Sequence, residues 1–463
     1  MCKLGIQLAF VLPLKSNPLN LMSDKLSFSI ESAARKLGIE LNEMQSAAIS
    51  AGKKHNNILL LSPTGSGKTL AYLLPLAENL KSDVSGTQAL IIVPARELAL
   101  QIEQVFKSLR SGFKVMCCYG GHSIKVEKDR LKEAPSVIVG TPGRLADHLR
   151  RKNITSEMLS MLVLDEFDKS LELGFEEDMS YIIQETAPLK RIWLTSATDT
   201  KEDISLFKAP IVFHKINFLS EQVATGNLDL YYLRAEGTDK LDTLFKLLCS
   251  IGNESTLIFC NHRDAVERIS ELLHAEGIDH SIFHGGLKQE DREKALVTLR
   301  NGSCKILLTT DLASRGLDIP EIRNVIHYQL APTEEIFVHR NGRTARMFAD
   351  GNVFLILSET DTFPEYLTVQ PTEYQLPGQL SLPQKSEWIT LYIGGGKKDK
   401  LCKGDIAGLL IQKGHLTQTE VGKIEVYDFA SFAAVRRTKA MATLKWLRGE
   451  KLKRKSVKIE VCR

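Results

Sequence analysis

No run in the 463-residue chain approaches the ~20 consecutive apolar residues that a bilayer-spanning helix needs. The apolar patch from Ile6 to Leu14, after Lys3, lacks the small-residue cleavage site of a secretory leader, and no membrane partner is expected. Residues 1–21 read either as an extension ahead of a start at Met22 or as a disordered tail. Cysteine is sparse. The eight thiols, at positions 2, 117, 118, 249, 260, 304, 402 and 462, form no CxxC pair and keep no histidine spacing that builds a zinc site. They read as the reduced thiols of a cytoplasmic protein.

Neither sign of charge dominates, since 60 Lys+Arg face 56 Asp+Glu for a net of +4. That balance hides an asymmetry. From Lys385 onward 18 basic residues face 8 acidic ones, a net of +10, which leaves −6 for the rest, so a polyanion is expected to dock at the carboxy-terminal end. With 43% hydrophobic and 25% charged residues the composition is that of a globular protein, and the length suits about three domains. A monomer is expected.

The stretch Ser62-Pro63-Thr64-Gly65-Ser66-Gly67-Lys68-Thr69 reads as a P-loop. The run Asn57 to Leu61 before it has the pattern of a buried strand, and Leu70 to Leu74 after it opens a helix, the context a phosphate cradle requires. Backbone N–H groups around Gly65, Ser66 and Gly67 would hold phosphate oxygens, with Thr64 in the same loop. Lys68 would bring charge to the β/γ-phosphates of a bound nucleotide, and the Thr69 hydroxyl would bind Mg²⁺. Ser62 stands where Gly or Ala is usual.

Strand-like and helical runs alternate over residues 22–216, the α/β signature of a parallel sheet, whose ligands bind at the strands' carboxyl ends. Met161 to Leu164 is a buried strand delivering Asp165-Glu166-Phe167-Asp168. Asp165 suits the metal and Glu166 the attacking water. Ser196-Ala197-Thr198 ends the next strand, where its hydroxyls could link the acidic motif to a group across a cleft.

Together these residues resemble the DEAD-box family of RNA-dependent ATPases. In the family's Q motif, matched by Leu41 to Gln45, the glutamine reads adenine and an upstream aromatic stacks on it; the resemblance assigns these roles to Gln45 and Phe28 and implies ATP over GTP. It makes Pro94 to Gln101, Gly120-Gly121 and Thr141 to Arg144 the loops that grip the RNA backbone, with Arg96, Gly121, Thr141 and Arg144 as contacts. A second alternating unit, residues 227–361, has no phosphate cradle and reads as a lid over the first. The resemblance places Thr310 and Arg315 on RNA and ATP-side groups and Asp318 on the ribose. It makes Arg343 and Arg346 arginine fingers, ties His339 to the Ser196/Thr198 motif, and adds Gln289 and Arg292 as RNA contacts. It also implies that both units are RecA-like.

Four positions depart from the family pattern: Ala95 for Thr, Phe167 for Ala, Ser314 for Ala and Ala345 for Gly. Phe167 and Ala345 are expected at the interdomain cleft, where bulk or a lost glycine would affect closure, while hydrolysis survives. The alternative is a non-enzymatic RNA clamp or chaperone. A DNA translocase is disfavoured by the motif set.

Residues 362–386 carry Pro364, Pro371, Pro377 and Pro383 and read as an extended linker. Over 387–463 the pattern of strand, basic loop, helix, two strands, helix and strand suggests a small α+β, RRM-like domain. Phe429 and Phe432 are present, but the Lys/Arg-Gly-Phe start of the aromatic RNP1 signature is absent, so base stacking on the sheet is not assured. Lys397, Lys398, Lys400 and Lys403, then Arg436 and Arg437, then Lys451 to Lys455 favour phosphate binding. The run from Leu391 to Lys400, with Gly404-Asp405-Ile406 and Gly422-Lys423-Ile424, resembles the tail domain of the DEAD-box protein A subfamily. That resemblance implies large-subunit ribosomal RNA and pre-ribosomal particles as partners.

Overall fold

The computed structural model describes residues 28–63, 65–121, 123–186, 189–199, 206–207, 211–219, 228–311, 322–344, 351–367, 369–453 and 455–462. The expectations for residues 1–21, Thr64, Ser314, Arg315, Asp318, Ala345 and Arg346 lie outside them.

Short apolar runs make the first sheet: β1 (Asn57–Leu61), β2 (Ala89–Ile92), β3 (Val115–Cys118), β4 (Val137–Gly140), β5 (Met161–Leu164), β6 (Arg191–Ser196) and β7 (His214–Asn217). All pair in parallel, in the order β3-β4-β2-β5-β6-β1-β7. Both faces of the sheet are covered by helices, so β2, β4 and β5 are buried at every residue. Two apolar layers result, one around Tyr72, Phe106 and Trp193 and the other around Leu162, Phe167 and Met179.

The second sheet contains β8 (Leu228–Arg234), β9 (Thr256–Phe259), β10 (Ser281–Phe283), β11 (Ile306–Thr309), β12 (Asn324–His327), β13 (Gly351–Leu357) and β14 (Thr372–Glu373). Its order, β10-β11-β9-β12-β13-β8-β14, repeats that of the first sheet strand for strand. Strand β14 lies inside the proline-rich stretch, which is extended as expected but packed against the domain. Tyr374 stacks its edge on Tyr231 and Phe354, and the Tyr366 hydroxyl donates to the Ala331 carbonyl at 2.6 Å.

The tail is an antiparallel sheet, β16-β17-β15-β20, built from β15 (Trp388–Ile393), β16 (Val421–Val426), β17 (Ser431–Arg436) and β20 (Ile459–Val461). A short hairpin pairs β18 (Lys451–Leu452) with β19 (Lys455–Ser456). The helices Lys403–Gly408 and Arg437–Trp446 cover one face over Leu391, Ile393, Ala433 and Val435. This is the βαββαβ arrangement that the order of strand and helix patterns over 387–463 foretells.

Candidate functional site

The loop between β1 and the helix Lys68–Asn79 turns through two glycines in the left-handed region, Gly65 at φ 84° and Gly67 at φ 90°. A Cβ on Gly67 would also lie 2.4 Å from Gln45 Nε2, so that side chain would have to move aside. Gln45 closes a capping box with Asn42 at the start of the helix Glu43–Lys54, and its Nε2 donates to the Gly67 carbonyl at 3.2 Å. Asn42 Nδ2 donates to the Ser66 carbonyl at 2.9 Å, so the adenine-reading candidate is fixed to the phosphate loop itself. Phe28 is half-buried against the same core layer. Lys68 is buried. Its ammonium donates to the carbonyls of Ser62 and of Pro63, the latter at 2.9 Å. Burial lowers its pKa, opposed by Glu166, Asp165 and Asp168.

Strand β5 delivers the acidic motif to this loop. Asp165 is 3% exposed, takes the Tyr72 hydroxyl on Oδ2 at 2.8 Å and the Thr195 hydroxyl on Oδ1, and is raised by burial. Glu166 holds a left-handed backbone (φ 50°, ψ 49°) that costs a non-glycine residue roughly 1–2 kcal/mol. Burial, then repulsion from Asp165, pushes its carboxyl up to about 7, against the attraction of Lys68. Thr198 Oγ1 donates to Asp168 Oδ2 at 3.0 Å, and Ser196 Oγ accepts the Thr198 N–H at 2.9 Å. The Ser196/Thr198 motif thus meets Asp168 within its own domain.

Phe167 does not reach the cleft. It is 1% exposed and packs in the second apolar layer, so the bulk expected beside Glu166 fills the domain's own core. From the second domain, Arg343 lies 1% exposed and close enough to act electrostatically on both Lys68 and Glu166. His339 is buried on the helix Glu334–Asn341, its Nδ1 3.9 Å from Glu335. Beside it Arg340, which sequence reasoning passed over, is wholly buried and pairs with Asp311, one residue after Thr310, and with Asn261 and the Gln329 carbonyl.

The side chains around the phosphate loop have the chemistry to receive phosphate oxygens and a hard cation. Among the described residues Ser62 Oγ, Ser66 Oγ and Asp168 Oδ1 are buried without a hydrogen-bond partner, and Thr69 and Asp165 offer the oxygen donors a hard cation prefers.

The backbone-gripping candidates gather on another side. Gly121 has φ 103°, and a Cβ there would lie 2.3 Å from Arg96 Nη1. Arg96 donates across the domain boundary to Gln289 Oε1 at 3.1 Å, Arg292 donates to the same oxygen at 2.8 Å, and Arg292 pairs with Glu97 at 3.1 Å. Thr141 precedes the helix Pro142–Arg150, from which Arg144 pairs with buried Glu127 at 2.8 Å. Glu127 also takes His148 Nε2 at 2.7 Å and the Tyr119 N–H at 3.1 Å, a support that no local pattern in the sequence announces. A second missed residue was legible through the internal repeat. Arg263 begins the 13-residue helix after β9, as Arg96 begins the 13-residue helix after β2, and it lies beside Gly286 as Arg96 lies beside Gly121.

A cleft of about 2600 Å³ runs from Arg96, Gly121, Gln289 and Arg292 to Lys397 and Lys398 of the tail, bringing candidates from all three units to one space. Lys400 is exposed in the same basic loop. The open face of the tail's sheet lines part of this cleft through Tyr392, Glu425, Tyr427 and Phe432, and the second domain meets the sheet at a few polar contacts. Arg300 donates to Glu425 at 3.0 Å and to the Tyr427 hydroxyl at 2.6 Å, Asn301 donates to Thr390 at 2.8 Å, and Arg437 pairs with Asp279 at 3.2 Å. Phe432, an RNP1 candidate, is 3% exposed, whereas Phe429 is 68% exposed.

Comparison with known proteins accounts for all three units. Family models match residues 42–206 (DEAD/DEAH box helicase), 239–348 (helicase conserved C-terminal domain) and 390–461 (DbpA RNA binding domain). The chain is 31% identical to the ATP-dependent RNA helicase DbpA of Escherichia coli over 91% of its length and 94% of the relative's. It is 28% identical to that of Bacillus subtilis over 94% of its length and 98% of the relative's. The fold is similar to that of Saccharomyces cerevisiae Dbp5 bound to RNA and ADP BeF3, with a TM-score of 0.66 at 23% identity, over 74% of this chain and 93% of that one. Matching models along its length and a relative 31% identical over nine-tenths of both chains establish that the chain belongs to the DEAD-box helicases, in the group that carries a DbpA RNA binding domain.

Proposed function

We propose that this chain is an ATP-dependent RNA helicase that hydrolyses ATP when RNA is bound and locally separates short duplexes, working on large-subunit ribosomal RNA in pre-ribosomal particles. The observation that carries the enzymatic part is the convergence of Lys68, Asp165 and Glu166 from one domain with Arg343 from the other. Lys68 would leave the carbonyls of Ser62 and Pro63 for the phosphates, Glu166 would orient the attacking water, and Arg343 would meet the charge that develops on the γ-phosphate. Thr69 and Asp165 would hold Mg²⁺, which supplies charge neutralisation at the β/γ oxygens when bound. Gln45 and Phe28 would take the adenine, with Asp318 on the ribose and Arg346 as the second finger.

Arg96, Gly121, Thr141, Arg144, Gln289, Arg292, Thr310 and Arg315 would hold the RNA backbone, which carries no sequence information. The address would come from the tail through Lys397, Lys398 and Lys400. Phe432, only 3% exposed, has little ring surface to offer a base, which supports loop charges as the means of binding. A monomer in the cytoplasm is part of the same proposal. The rival reading, a clamp that binds without turning over, rested on Phe167 and Ala345 at the cleft; the burial of Phe167 in the domain core removes the first ground, and Ala345 lies outside the described residues.

ATP hydrolysis without RNA, with unrelated RNA and with large-subunit ribosomal RNA tests the proposal, with Glu166→Gln as control. The expected result is strong stimulation by ribosomal RNA, abolished in the control. Equal stimulation by any RNA would reduce the tail to a general tether, and no stimulation would favour the clamp.

A further inference from the structure

We propose that the Tyr72 hydroxyl is a positioning group for the magnesium-side carboxylate; the inference rests on the reading of Asp165 given above. Tyr72 lies one turn after Thr69 on the helix Lys68–Asn79, with no exposed surface, inside an otherwise apolar layer of alanine, leucine and isoleucine side chains. A phenylalanine would fill that space equally well, so packing explains the ring and leaves the hydroxyl unexplained. Burying a hydroxyl costs free energy unless it finds a partner. Here the partner is Asp165 Oδ2 at 2.8 Å, 93 residues away in the sequence.

Asp165 gains more from this contact than a satisfied oxygen. Its Oδ1 takes the Thr195 hydroxyl, so a donor from the phosphate-loop helix and a donor from β6 hold the two oxygens and fix the plane of the carboxylate. Each oxygen keeps a lone pair for the cation or for its water. The Thr69 hydroxyl adjoins the Tyr72 oxygen, so one phenol links the two side chains assigned to the metal. A carboxylate held in one orientation before the cation arrives loses less freedom on binding it, and a partner of this kind is worth about 10–100-fold in metal affinity.

The test is Tyr72→Phe in the full chain, read by binding of a fluorescent ADP analogue with Mg²⁺ titrated from zero and, separately, in chelator. The inference expects a rise of about tenfold in the Mg²⁺ concentration needed for half-maximal enhancement of ADP binding, with affinity in chelator unchanged. Equal weakening in both arms would overturn it in favour of a purely structural hydroxyl, and an unchanged Mg²⁺ dependence would overturn it outright. Wild-type protein whose ADP binding ignores Mg²⁺ would sink the reading of Asp165 and the role of Tyr72 with it. A fall in Mg²⁺ response confined to the variant supports both.

Discussion

Strand for strand, the two parallel sheets correspond in order, so every loop at a strand's carboxyl end has a counterpart. On the flank built by β2 and β3 against β9 and β10 the counterparts match in chemistry. Arg96 answers to Arg263, and Gly120-Gly121 answers to Gly285-Gly286. On the other flank they do not. Strand β1 ends in the phosphate loop while β8 runs into Arg234-Ala235-Glu236-Gly237, and β5 ends in Asp165-Glu166 while β12 ends in His327. Burial, then Arg340, lowers the pKa of His327 to about 3, which keeps it neutral inside the domain. On the function proposed above, the repeated scaffold has kept one kind of loop in both copies where a polymer with repeating phosphates would pass, and has let the copies diverge where one nucleotide would be held from two different sides.

Removing the second domain's contribution to the divergent flank is the severest test of this division. Arg343→Ala should lower RNA-stimulated hydrolysis by about 10³-fold, with ADP affinity little changed, in steady-state kinetics and nucleotide titration. A loss of less than tenfold would mean that the second sheet only covers the nucleotide. The matching flank is tested by the pair Arg96→Ala and Arg263→Ala. Each should weaken RNA binding by roughly three- to tenfold and lower the slope of log affinity against log salt by about 1. If only Arg96→Ala does so, the likeness of the two flanks is geometric and not functional.

Much of this was legible in the sequence because the motifs are local. The phosphate loop, the acidic motif and the Ser196/Thr198 motif each follow a short apolar strand, and β1 and β5 were readable to the residue. What escaped was set by packing between distant segments. Phe167 sits in a motif that faces the cleft, but it starts a helix whose buried side turns it into the core. Strand β14 is two residues in a proline-rich stretch, visible only once β8 offers an edge. Glu127, on a helix of mostly charged residues, gains its meaning only when Arg144 and His148 fold onto it.

The tail extends the comparison, because it meets the two helicase domains unequally. Against the second domain it is held by recessed groups: Arg300 and Glu425 have side chains 16% and 17% exposed. Arg300→Ala should cost about 2 kcal/mol of docking, since it leaves partly buried acceptors without their charged donor. Protease cleavage within residues 362–386 should then quicken by tenfold or more, and an unchanged rate would mean that the packed linker holds the tail without this contact.

Against the first domain the tail is joined by Arg130 and Asp428, 2.7 Å apart but 39% and 43% exposed. An ion pair so open to water contributes at most about 1 kcal/mol and fades with salt. A double-mutant cycle on Arg130→Ala and Asp428→Ala, read through RNA affinity at two salt concentrations, should give a coupling energy below about 1 kcal/mol that shrinks at the higher one. That result would make the tail a rider on the second domain, free to leave the first whenever the cleft between them opens. A coupling above about 2 kcal/mol, insensitive to salt, would mean that the turn after β16 straps both domains together. RNA bound at Lys397 and Lys398 would then act on closure directly, through the protein rather than through the RNA strand.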